Sequence, residues 1–97
     1  MTYIEELTQV IKELHGADAV HVETVAVKEV FQGETMWDGK VEDFDLVGHP
    51  DTHRVYAWGF VDDNDQKQHV TVLHIPPATS PENAVRASIV SEYGNRN

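Results

Sequence analysis

Carboxylate and imidazole side chains fall beside one aromatic strand, and chemistry, if the chain performs any, belongs there. Glu34 and Asp43 are expected as cross-strand neighbours next to Trp58, where an apolar wall would lift one carboxyl group into the range of a general acid. His69, expected beside Phe60 with Thr71 two residues further on, would supply a base in the same cleft. These three are the catalytic candidates. Against them, like charges facing each other on an exposed strand are destabilising, and two solvated acids are the simpler reading. No serine in a glycine elbow, phosphate-binding glycine loop or dinucleotide fingerprint accompanies them. An enzyme is therefore not the expectation.

Six histidines invite a metal reading, chiefly through His49-Pro50-Asp51-Thr52-His53. Two histidines four residues apart converge on zinc when a helix stacks them on one face. Here Pro50 makes a turn, so His49 and His53 need not meet, and nothing in the pattern requires Asp51 or the distant His69 as a third ligand. The expectation is a polar hairpin loop, with no metal and no cofactor. Cysteine is absent, which removes disulfides, thiolate nucleophiles and thiol-rich zinc sites.

Recognition is the stronger theme. In the run Val55 to Val61, alternation puts Tyr56, Trp58 and Phe60 on one face of a strand and small residues on the other. Exposed together, the three rings would present about 450 Å² or more, beyond what a soluble monomer normally leaves bare. Met36, Asp43, Asp45, His69 and Leu73 are expected on the same face, giving an aromatic and aliphatic strip bordered by acids. A homodimer that stacks two such faces is the simplest cover. The alternatives are a small enzyme or ligand-binding protein with the acids and His69 around an aromatic cleft, an acidic adaptor for a basic protein, and a sheet curled enough to cover the rings itself.

Charge narrows the partners. Seven basic against 17 acidic residues give a formal charge of −10, which repels phosphate backbones and anionic membranes. Neither nucleic acid nor a membrane is expected as a partner. The first residues lack the basic region and apolar core of a secretory signal, so a cytoplasmic location is the default. At 97 residues and 40% hydrophobic content, a single folded domain over residues 1–97 is expected.

The elements that must position these residues are legible from caps and periodicity. Thr2 with Glu5 makes a capping box for an amphipathic helix over 3–15, with Ile4, Leu7, Ile11 and Leu14 on its stripe and Gly16 at its end. Ser80-Pro81-Glu82 starts a second helix that carries Ala84, Val85, Ser88, Ile89 and Tyr93 on one side until Gly94. Between them, β-branched and aromatic runs predict strands over 20–37, 40–48, 53–62 and 67–75. Turns are expected at Asp38-Gly39, Pro50-Asp51 and Asn64-Asp65. The apolar parity changes between Val22 and Val25, which predicts a bulge. The fold class expected is α+β, a four-stranded antiparallel meander in the order α-β-β-β-β-α with both helices packed on one face. On the register those turns impose, Val55, Ala57, Val70 and Val72 would share the helix side.

Overall fold

The computed structural model describes residues 2–94, with side chains through Ser91, so the Tyr93 side chain expected on the second helix lies outside those described. Helix α1 spans Tyr3–His15, strands β1 to β4 span Asp18–Phe31, Glu34–Val47, Arg54–Val61 and Lys67–Leu73, and helix α2 spans Pro81–Gly94. The strands form one antiparallel sheet in the order β1-β2-β3-β4. The chain is an α+β protein with the expected order of elements.

The helix ends follow their local chemistry. Thr2 Oγ1 accepts the Glu5 amide at 3.1 Å, and Gly16 closes α1 in a left-handed conformation, φ 69°, while its amide donates to the Lys12 carbonyl at 2.9 Å. At α2 the Ser80 hydroxyl accepts the Asn83 amide at 3.2 Å. The expected bulge is present as well: the β1–β2 register shifts between His21 and Glu23.

Two turns differ from expectation. The first hairpin closes at Gln32-Gly33, with φ 53° and 80°, and pairs Phe31 with Glu34. Positive φ at both central residues is the type I′ requirement that fits the twist of the flanking strands. Asp38-Gly39 lies inside β2, where Gly39 faces Val27. Glycine leaves room there, since a Cβ would stand 3.1 Å from the Trp37 ring and press on it. The last hairpin carries five residues, 62–66, between Val61 and Lys67, with Asp65 at φ 61°. Its odd length slips β4 by one residue from the expected register, and a slip of one turns every side chain to the other face. Val70 and Val72 therefore join Tyr56 and Trp58, whereas His69, Thr71 and Leu73 join Ala57.

That slip bears on the third correction, because it leaves both faces of the sheet apolar. Leu7 and Ile11 of α1, both fully buried, pack on Phe44, Leu46, Val55 and Ala57. On the opposite face Ala84 and Val85 of α2 pack on Val27, Val41, Tyr56 and Trp58, with Val25, Trp37, Val70, Val72 and Ile89 around them. The helices do not share a face as expected; each covers one. A sheet apolar on both sides needs a layer on each, and burying such side chains stabilises by about 1.5–3 kcal/mol apiece.

The long first hairpin reaches past the rest of the sheet. β2 pairs with β3 only from Glu42 to Asp45, so β1 and β2 beyond Val25 and Val41 form a two-stranded arm. Six residues at the strand rise make it about 20 Å long. An isolated ribbon of that kind is marginal in water. Here α2 steadies it through contacts to Val27 and Trp37 and through the Arg86–Glu29 ion pair.

Candidate functional site

The row Glu23-Asp43-Tyr56-Val72 crosses all four strands on the α2 side of the sheet. Asp43 is 1% exposed, and its Oδ1 has no hydrogen-bond partner among the described residues. Burial, reinforced by the charge of Glu23, pushes its pKa up to about 6. Next in the row, the buried Tyr56 hydroxyl shares a 2.6 Å hydrogen bond with His74 Nδ1. Burial, and after it the Asp43 charge, raises the Tyr56 pKa as well. Asp45 and Arg54, one row on, pair at 3.3 Å near the surface. A carboxyl group with a pKa of about 6 beside a tyrosine–histidine pair has the parts for proton transfer. Asp43 and Tyr56 nevertheless lie below the surface, so the row acts as a polar seam inside the α2 layer.

Openings to solvent flank the second half of α2. A groove of about 670 Å³ runs between α2 and the sheet, walled by Trp37, Trp58, Phe60, Val70, Val72 and Ile89. Its tryptophans meet edge to face, with centroids 5.5 Å apart at 68°. Across Ile89, a second recess of about 410 Å³ separates α2 from the arm tip, bounded by Glu29, Val30, Phe31, Met36, Arg86 and Val90. Met36 reaches this side because the β1–β2 register shifts again between Glu29 and Val30, leaving Met36 as the extra residue.

The catalytic candidates do not converge. Glu34 sits exposed beside the Gln32-Gly33 turn in the same strand as Asp43, nine residues and about 30 Å away. His69 is on the α1 side opposite Gly59. Moving the turn to Gln32-Gly33 removes the Glu34–Asp43 pairing, and the β4 slip removes His69 from the cleft. In the recognition set, Tyr56 and Trp58 are 2% and 3% exposed under α2, and Phe60 stands half exposed at the mouth of the groove. Tyr56 and Trp58 thus take their cover from their own chain. Leu73 packs with the α1 core, and Asp45 remains exposed. His49 Nδ1 accepts the Asp51 and Thr52 amides at 3.1 and 3.3 Å and so caps its own loop, with His53 exposed. Among the described residues no three His, Asp or Glu side chains gather as metal ligands.

Other residues emerge only from the fold. Glu42, buried on the α1 side, holds His21 Nε2 at 2.9 Å and the Thr24 hydroxyl. Val30, Phe31 and Val90 form an exposed apolar cluster at the arm tip and α2. The signal for that cluster was Gln32-Gly33 as a turn, which would have put Val30 and Phe31 at a hairpin end.

Fold and site together define a three-layer α+β module with apolar recesses along one helix. Comparison with known protein families, curated proteins and solved structures finds no match for the chain.

Proposed function

We propose that the chain is a small acidic assembly module that pairs with a second copy of itself through the outer side of α2 and the tip of the β1–β2 arm. One observation carries the reading: α2 places Val90 away from its buried side, in an exposed apolar cluster with Val30 and Phe31 of the arm tip. Ala84, Val85 and Ile89 face inward, while Val90 is 70% exposed beside Phe31 at 64% and Val30 at 55%. An exposed apolar cluster shared by a helix and a hairpin tip marks an interaction surface.

Size and charge support a second copy. Val30, Phe31 and Val90 present on the order of 350 Å² between them, within the range where patches on monomers become functional. A stable interface buries about 800 Å² per partner. Met36, Ala87, Ser91 and the groove mouth at Phe60 would have to supply the rest. Each copy carries −10, so copies repel unless they meet where charge is balanced. The ion pair of Arg86 with Glu29 balances charge beside this patch. The homodimer face expected at Tyr56 and Trp58 thus moves outward, from the sheet to the helix that covers it.

Val90→Asp and Phe31→Ser alter exposed side chains and should leave the fold intact. Each is expected to weaken self-association at least tenfold, about 1.4 kcal/mol, as measured by light scattering on a size-exclusion column. A mass that neither substitution changes would count against the proposal.

A further inference from the structure

The ladder between β2 and β3 stops short. It holds from Asp45↔Arg54 to Glu42↔Ala57, although β2 begins at Glu34 and β3 runs on to Val61. Parity shows where the β3 groups beyond it point. The His74 amide donates to the Arg54 carbonyl at 3.0 Å and the Asp62 amide to Gln66 at 2.9 Å, so the even residues of β3 bond toward β4. The amides and carbonyls of Gly59 and Val61 then face the edge that β2 has left. At that edge the Gly59 amide donates to a side chain, the Tyr3 hydroxyl, at 2.8 Å.

A recess lies on each face of this edge. The groove of about 670 Å³ is on the α2 side, and one of about 190 Å³, bounded by Tyr3, Gly59, Val61 and His69, is on the α1 side. An added strand takes its affinity from the main chain and its specificity from pockets for alternate side chains, which point to opposite faces.

We infer that this edge is a docking site for an extended peptide segment, which takes up the ladder at Gly59 and Val61 where β2 leaves it. One apolar side chain enters the groove beside Trp58 and Phe60, and its neighbour enters the smaller recess beside Tyr3. The described side chains lining the groove carry no charge, which suits apolar occupants. Asp63 and Asp65 stand exposed in the loop just past Val61, and with the overall −10 they favour a basic residue flanking the segment. The inference does not rest on self-association, although the two draw on the same groove mouth at Phe60, so a second copy seated there would compete with the peptide.

The test uses the capped peptide Lys-Thr-Thr-Phe-Val-Thr-Lys, whose adjacent Phe and Val point to opposite faces, and amide-resolved NMR on the full chain. Saturable binding is expected, with shifts centred on Gly59, Val61 and the Trp58 indole, and amide exchange at Val61 slowed at least tenfold. Val61→Pro removes an N–H that points away from β4, so the β3–β4 ladder is kept while binding falls at least tenfold. Tyr3→Phe frees the Gly59 amide and tightens binding about threefold. A peptide N-methylated at alternate amides tests main-chain pairing without altering the protein. Absence of saturable binding, or equal binding by the N-methylated peptide or to a folded Val61→Pro variant, would overturn the inference.

Discussion

A carboxyl group 1% exposed with an unpartnered oxygen is costly to ionise, and Asp43 is such a group. Its pKa rises from 3.8 to about 6 on folding, chiefly through burial. The folded state therefore favours the neutral acid. The stability that follows is present in full below pH 4 and is lost as pH rises through 6. Two pKa units correspond to about 2–3 kcal/mol. Asp43→Asn, which stays neutral, should match the parent near pH 4 and exceed it by about that amount at pH 8 in urea unfolding. A gap that does not vary with pH would show that folding leaves the Asp43 pKa unshifted. The sequence singled out Asp43 as an acid against an aromatic wall, but set Trp58 opposite it. The partner is Tyr56 because the β2–β3 pairing is centred between His49 and Pro50, two residues from the expected register. A shift of two keeps every β2 and β3 side chain on its face, so the neighbour changed and the environment did not.

Two glycines six residues apart explain why one hairpin was misplaced. Asp38-Gly39 carries the stronger turn signature, but Gln32-Gly33 makes the turn and leaves Gly39 beneath Trp37. Gly33→Ala forces a side chain into φ 80°, at a cost of about 1–2 kcal/mol. Gly39→Ala instead crowds the Trp37 ring and should disturb its edge-to-face contact with Trp58. In near-ultraviolet circular dichroism the Gly39 variant is expected to alter the tryptophan bands and the Gly33 variant to leave them. The reverse pattern would put the turn back at Asp38-Gly39. Helix α1 and the start of α2 were legible to the residue because caps and periodicity are local. The side that α2 covers was not, since it depends on the β4 slip, and that slip comes from one left-handed residue, Asp65, in a loop whose composition fits either register.

On the scale of the whole molecule, the β4 slip and the placement of α2 turn an exposed aromatic strip into an interior. The apolar surface left over lies along α2 and the arm tip, beside a neutralised ion pair on a chain of charge −10. Long-range repulsion between copies should weaken as salt shortens the Debye length from about 30 Å at 0.01 M to about 8 Å at 0.15 M. Self-association is thus expected to tighten over that range, and weakening would point to an interface held by charge pairs. Among the described residues no helix is long and apolar enough to cross a membrane. Sedimentation equilibrium of the unaltered chain at micromolar concentration and physiological salt tests the central claim most directly. A mass approaching twice the 10.9 kDa of the chain, reverting to the single-chain value in Val90→Asp, is the expected result. A single-chain mass for the unaltered protein at every concentration would contradict it.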